Sequence, residues 1–124
     1  MVEKKIPFTK GQILKLAAKY PTPFHIYDEN AIRKNARAFY KAFDWVPGGF
    51  KNYFAVKANP NPFIIKILQE EGMGADASSF PELILAEKAG IKGENIMMTS
   101  NDTPNAEFVK ANELGVIINL DDIT

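Results

Sequence analysis

The sequence of 124 residues predicts an α/β fold, namely the amino-terminal half of a (β/α)8 barrel of the TIM type, with about four parallel strands and intervening helices. Short apolar segments alternate with helical patterns, which is typical of a parallel sheet covered by helices. The predicted strands begin near residues 52, 74, 96 and 116, a spacing of about 21 residues that suits the compact units of a barrel. Since such a barrel takes about 250 residues, we expect this chain to be the first part of a longer protein.

Two segments divide the chain. Residues 1–22 are predicted to form a lead-in helix, which Thr9 opens with a capping-box pattern and a pair of prolines ends. Residues 23–124 are predicted to form the first part of the barrel, truncated after about the fourth strand. Within it, residues 24–27 are predicted to form a short strand, and Asp28 is predicted to cap the helix that follows.

Each later unit carries its own start and stop signals. The helices are predicted to begin at a capping residue or a proline and to end before a glycine. The predicted strands cover residues 52–56, 74–77, 96–99 and 116–120. The predicted helices run from about 62 to 71, 79 to 89 and 103 to 114. Ser79 and Glu82 have the spacing of a capping box.

Composition excludes several classes of function. Lys+Arg and Asp+Glu are both 15, and a neutral balance argues against nucleic-acid binding. Without cysteine and with one histidine, the chain has no disulfide framework and no metal site built from several such side chains, so we predict no metal. No apolar run approaches the length of about 20 residues that spans a membrane, and the first residues lack the apolar region of a signal peptide. We therefore expect a soluble, cytoplasmic chain.

Lys57 is the first candidate for chemistry. It follows the apolar run 53–56, where strand is predicted to give way to turn. Desolvation at such a place disfavours a charged ammonium, and a neutral lysine amine attacks an aldehyde to form a Schiff base. A lysine that reaches solvent from the end of a strand explains the same local pattern, and the local sequence alone favours that explanation.

Four segments together resemble a known family. Residues 54–60, Phe-Ala-Val-Lys-Ala-Asn-Pro, resemble the cofactor-lysine motif of the fold-type III pyridoxal-phosphate decarboxylases. This family includes the diaminopimelate, ornithine and arginine decarboxylases, and alanine racemase shares its barrel. Residues 23–28, 72–83 and 118–121 resemble the family's opening strand and its second-strand and fourth-strand motifs, in order and at the family's spacing.

The resemblance implies that the protein decarboxylates a basic or dibasic amino acid with pyridoxal phosphate, and that Lys57 holds this cofactor as a Schiff base until the amine of the substrate displaces it. It implies that Asp76 lies near Lys57 and pairs with its ammonium once the substrate has displaced it. The amides of the next turn could satisfy Asp76 instead. The resemblance also implies that Glu82 lies near the active site, although its capping-box spacing explains it without any ligand.

Some residues depart from the family pattern and leave the substrate open. Phe80 and Pro81 replace a pair of small glycines, and Thr103 stands where diaminopimelate decarboxylases usually have lysine. A racemase is an alternative, although the Ala-Asn-Pro after Lys57 disfavours it. A non-catalytic half-barrel is another, because the family's phosphate loop, stacking histidine, pyridine glutamate and cysteine lie later in the chain. By resemblance, we expect the full-length protein to be a homodimer that acts on a small-molecule amino-acid substrate, and we expect these 124 residues alone to be inactive.

Overall fold

A computed structural model describes residues 6–120 of the chain. Helices and strands alternate regularly in it from residue 53 onward. The helices are α1 (Lys10–Lys19), α2 (Glu29–Ala42), α3 (Pro62–Glu70), α4 (Phe80–Lys88) and α5 (Asn105–Leu114). The strands are β1 (Tyr53–Ala55), β2 (Gly74–Ala77), β3 (Ile96–Thr99) and β4 (Ile117–Asn119). None of the described helices is long and apolar enough to cross a membrane.

The four strands form one parallel sheet in the order β1-β2-β3-β4. Each strand therefore lies beside the next one in sequence, with a helix in every connection, as in consecutive units of a barrel. In the register, Ala55 lies opposite Asp76, and Asp76 lies opposite Met97. This arrangement confirms the predicted parallel α/β fold.

One face of the sheet packs against helices α3, α4 and α5. Side chains alternate between the two faces of a strand, so every second residue points to these helices. The buried set includes Val56, Ala75, Ala77, Ile96 and Met98 from the sheet side, and Ile65, Leu83, Ala86 and Ala111 from the helices. The other face carries Asp76, Met97, Thr99, Ile117 and Asn119, which are half-buried or exposed. Asp76 is thus on the side of the sheet away from the core.

Helix α2 is attached to the same body through α3. Its Ala36 packs with Ile64 and Leu68 in a smaller apolar cluster. Beside this cluster, the carboxylate of Glu71 accepts hydrogen bonds from Arg37, at 2.6 and 2.7 Å, and from Arg33, at 3.0 Å. These hydrogen bonds from two guanidinium groups lower the pKa of Glu71 from its ordinary value to about 2. The ion-pair cluster fixes α2 against the end of α3.

Several local signals are confirmed. Thr9 forms the capping box of α1 with Gln12. The Asp28 side chain accepts a hydrogen bond from the backbone N–H of Ala31 and so caps α2. Asn61 caps α3 in the same way, with Pro62 as the first helical residue.

Two strand predictions need correction. Residues 24–27 do not join the sheet, because a strand needs a hydrogen-bonding partner and the described sheet consists of β1 to β4 only. The first strand ends at Ala55, since Val56–Ala58 form a 3-10 turn in which the Asn59 N–H donates to the Val56 carbonyl. The predicted boundaries at residues 1 and 124, and Asp121 of the fourth-strand segment, lie outside the described residues.

Candidate active site

Lys57 lies in the 3-10 turn directly after β1. The side chain of Val56, just before it, is fully buried and anchors the turn in the core. Lys57 itself is exposed. The expected desolvation is therefore not provided by the described residues, because β1 is an edge strand and receives neighbouring strand contacts from β2 alone. Lys57 thus lies at the predicted end of the first strand, but the burial predicted for it is not seen.

Asp76 is the third of the four residues of β2 and lies between two core alanines. Its Oδ1 atom is buried and has no hydrogen-bond partner among the described residues. Burying a carboxylate oxygen without a partner costs free energy, so such an atom marks a place where a donor is needed. The amides of the next turn do not satisfy Oδ1, contrary to the alternative considered for this residue.

The two residues lie at neighbouring strand ends. Ala55 and Asp76 are direct partners in the register, and Lys57 follows Ala55 by two residues. Neither residue takes part in an ion pair of the described structure. The amine of a lysine can bond covalently to an aldehyde such as that of pyridoxal phosphate. A buried carboxylate oxygen without a partner can accept a hydrogen bond from such an amine. The two residues therefore fit a site for this cofactor.

Glu82 makes its contacts locally, at the start of α4. Its carboxylate accepts hydrogen bonds from the Ser78 N–H at 2.9 Å, from the Ser78 hydroxyl at 3.2 Å and from the Ser79 hydroxyl at 3.1 Å. The predicted capping box between Ser79 and Glu82 is wrong in detail. Because the Ser79 hydroxyl donates to the carboxylate, it makes no cap bond to the helix, and Glu82 reaches one residue further back than a capping box requires.

Glu107 makes a contact that was not predicted from the sequence. This residue belongs to the first turn of α5, and its Oε1 accepts a hydrogen bond of 2.9 Å from the Phe80 N–H at the start of α4. An acidic residue in a first helical turn is an ordinary sequence signal. Its partner is 27 residues away, and no local pattern identifies it.

The loop that contains Thr103 and a groove beside α2 are two further features of the described structure. The Thr103 hydroxyl donates to the Ser100 carbonyl at 3.2 Å, which fits the turn role of that loop. A groove of about 840 Å³ lies beside α2, β1 and α3, and neither Lys57 nor Asp76 lines it.

Within residues 6–120, no cluster of three or more acidic, histidine or cysteine side chains could hold a metal ion.

Comparison with known proteins gives consistent matches. Residues 29–124 match the family model for the pyridoxal-binding domain of pyridoxal-dependent decarboxylases. The chain is 46% identical over 108 residues to Protein TabA of Pseudomonas amygdali pv. tabaci, which covers 87% of this chain and 25% of that protein. It is 40% identical over 108 residues to the diaminopimelate decarboxylase of Methanothermobacter thermautotrophicus, again covering 87% of this chain and 25% of the relative.

A solved structure agrees with the sequence matches. Diaminopimelate decarboxylase of M. jannaschii in co-complex with L-lysine superimposes with a TM-score of 0.79 at 28% identity, covering 90% of this chain and 27% of that one. The likeness confirms the predicted decarboxylase barrel fold. The chain spans about a quarter of the length of the curated relatives that it matches, with 25% of each covered.

Proposed function

The chain belongs to the pyridoxal-dependent decarboxylases, and from this premise we propose that the whole protein decarboxylates a basic or dibasic amino acid with pyridoxal phosphate, held by Lys57. The observation that carries the proposal is the buried, unpartnered Oδ1 of Asp76, opposite the last residue of the strand that leads to Lys57. An edge lysine alone has an ordinary structural explanation. A lysine that follows a strand residue paired with a buried, unpartnered carboxylate calls for a further explanation.

Lys57 is the residue that would hold the cofactor, because a neutral lysine amine bonds covalently to an aldehyde. When bound, pyridoxal phosphate supplies an electron-accepting ring that stabilises the charge left by departing carbon dioxide. The turn Val56–Ala58 keeps Lys57 at the carboxyl end of β1, where barrel enzymes carry their chemistry. The buried Val56 side chain fixes the backbone of that turn.

Asp76 would accept hydrogen bonds from the Lys57 ammonium whenever that amine is not bonded to the cofactor. A charge-assisted hydrogen bond satisfies the buried Oδ1 and keeps the amine close to the place where it is next needed. Glu82 would stabilise the segment that follows Asp76, because all of its described hydrogen bonds are with the two serines after β2. Its local contacts favour a structural part over direct contact with the substrate.

The substrate class is proposed from the relatives. Several are diaminopimelate decarboxylases, and the M. jannaschii structure contains L-lysine. Asp76 and Glu82 also add negative charge at the same end of the sheet, which suits a substrate with an extra amino group. The family match favours a decarboxylase over a racemase, and a homodimer of the full-length protein remains part of the proposal.

The test uses the full-length protein with pyridoxal phosphate and measures carbon dioxide release from diaminopimelate, lysine, ornithine and arginine. We expect release from at least one of them and loss of at least about a thousandfold in turnover for Lys57→Ala, because the covalent attachment is removed. Lys66→Ala, an exposed lysine on α3, is the matched control and should retain parental turnover. Racemisation of an amino acid without carbon dioxide release would contradict the proposed reaction.

A further inference from the structure

We propose that Glu107 is a positioning residue that holds the start of α4, and with it the segment that leads from Asp76, in the geometry the active site needs. The inference rests on the proposed function, since it concerns the surroundings of Asp76. It is carried by the hydrogen bond of 2.9 Å from the Phe80 N–H to Glu107 Oε1, which links α5 to the first residue of α4. Glu107 itself touches neither Lys57 nor Asp76 through any described hydrogen bond or ion pair.

The first turn of α4 shows why this bond matters. A helix leaves its first N–H groups without partners inside the helix. Here the Ser79 hydroxyl makes no cap bond, and Pro81 has no N–H to donate. The N–H groups of Glu82 and Leu83 both donate to the Ser79 carbonyl at 3.1 Å. The Phe80 N–H is the remaining donor of this turn, and Glu107 satisfies it.

Two carboxylates thus accept hydrogen bonds from the backbone of the connection between β2 and α4. Glu82, from α4 itself, accepts from the N–H of Ser78. Glu107, from the next helix, accepts from the N–H of Phe80. Asp76 lies only two residues before Ser78, and Ala77 between them is fully buried. A shift of the connection would therefore be transmitted to the Asp76 carboxylate, because the buried alanine leaves little room for the strand end to adjust.

Electrostatics favours the same arrangement. Glu107 lies in the first turn of α5 and contacts the first residue of α4, so its charge faces the amino-terminal ends of two helix dipoles. The residue is half-buried, which reduces screening by solvent. In Glu107→Gln, the side chain keeps an acceptor oxygen and loses only the charge. This variant therefore separates the effect of the hydrogen bond from the effect of the charge.

The test compares Glu107→Ala and Glu107→Gln in the full-length protein. Lys110→Met is the matched control, because Lys110 also links α5 to α4, through an ion pair of 3.2 Å with Glu87, far along α4 from Phe80. Three quantities are measured. The first is hydrogen exchange of the Phe80 amide without cofactor. The second is the affinity for pyridoxal phosphate by absorbance titration, and the third is the pH midpoint of the bound cofactor's absorbance.

We expect Glu107→Ala to speed Phe80 exchange by about tenfold or more, because a hydrogen bond to a charged acceptor is lost. We expect it also to weaken cofactor binding by about tenfold and to move the pH midpoint, since Asp76 is displaced. Glu107→Gln should stay within about threefold of the parent in Phe80 exchange rate and in cofactor affinity, because its amide oxygen still accepts the hydrogen bond from the Phe80 N–H. Lys110→Met should match the parent in all three measurements.

Faster Phe80 exchange with parental cofactor affinity and pH midpoint would overturn the inference, because Glu107 would then be a helix cap and nothing more. Unchanged exchange in Glu107→Ala would overturn it as well. A parent protein that binds pyridoxal phosphate without a covalent link to Lys57 would defeat the proposed function instead. In that case the exchange and affinity of the Glu107 variants still decide whether Glu107 positions a binding site.

Discussion

Asp76 lies opposite Ala55 in the parallel register of β1 and β2, and its Oδ1 is buried without a hydrogen-bond partner in the described part of the chain. Lys57 follows Ala55 by two residues, in a turn fixed by the buried side chain of Val56. Burying a carboxylate oxygen in this way costs stability, and proteins keep such costs where function requires them. The pair Lys57 and Asp76 is therefore the centre of the proposed chemistry.

Asp76→Asn should separate activity from stability. The substitution removes the charge proposed to pair with the Lys57 ammonium, so we expect turnover of the full-length enzyme to fall by about ten- to a hundredfold. Since Oδ1 has no partner, we expect the free energy of unfolding without cofactor to change by less than about 1 kcal/mol or to rise. Turnover and urea unfolding check the two expectations.

The matched control for Asp76 is Asp44→Asn, at an exposed position after α2. It should leave both turnover and stability at the parental level. A marked loss of stability in Asp76→Asn, with turnover reduced only in proportion to the folded fraction, would show that the carboxylate serves the fold alone.

Glu82→Gln should chiefly reduce stability. The carboxylate accepts from the Ser78 N–H and from the hydroxyls of Ser78 and Ser79, so a neutral amide weakens several hydrogen bonds at once. We expect the free energy of unfolding to fall by about 1–2 kcal/mol, with turnover of the folded enzyme within about tenfold of the parent. Glu113→Gln, at an exposed position on α5, is the control. Parental stability with a collapse of turnover would instead place Glu82 in contact with the substrate.

The Glu71 cluster should make part of the stability depend on acid pH. Hydrogen bonds from Arg37 and Arg33 lower the pKa of Glu71 to about 2 in the folded protein, against an ordinary value of 4.5. The unfolded chain therefore binds this proton more readily, and the stabilisation is present above the ordinary value. It is lost as pH falls from about 4.5 through about 2.

Urea unfolding of the parent and of Glu71→Gln across this pH range checks the prediction. The parent should be the more stable above the range, and the difference should shrink steadily as the pH falls. Glu70→Gln is the matched control, because Glu70 is 43% exposed and makes one ion pair, with Arg33. A difference between parent and Glu71→Gln that does not vary with pH would contradict the assigned cause.

Gly74 should not tolerate a side chain at the start of β2. A Cβ atom there would lie 2.6 Å from the Asn95 carbonyl oxygen and 2.6 Å from Tyr53 Cδ1. We expect Gly74→Ala to reduce the free energy of unfolding by about 1–3 kcal/mol, since backbone must move. Gly11→Ala, in α1 with no atom within 4 Å of the new Cβ, should be neutral or stabilising by about 0.5 kcal/mol. Thermal unfolding that ranks the two variants in the opposite order would contradict this packing.

Much of the fold was predictable because its signals are local. The strands Gly74–Ala77 and Ile96–Thr99 have the predicted boundaries, since each is a short run enclosed by clear turn and capping residues. The segment 24–27 was wrongly predicted as a strand, because its apolar pattern says nothing about whether a partner strand lies beside it. Likewise, the turn at Val56 ends β1 earlier than its apolar sequence suggested.

The place of Lys57 in the fold was predictable from the sequence, and its surroundings were not. The motif around Lys57 and the strand period together indicated the carboxyl end of β1. The exposure of Lys57, the unpartnered Oδ1 of Asp76 and the bond from Phe80 to Glu107 all depend on contacts between separate units of the chain. Such contacts leave no periodic signal in a single sequence.

The most direct measurement of the central claim is reduction of the full-length protein with borohydride in the presence of pyridoxal phosphate, followed by mass mapping of the modified peptide. We expect one stoichiometric adduct on Lys57, abolished in Lys57→Ala and retained in Lys66→Ala. An adduct on another lysine, or none under conditions where the protein binds the cofactor, would contradict the assignment of Lys57.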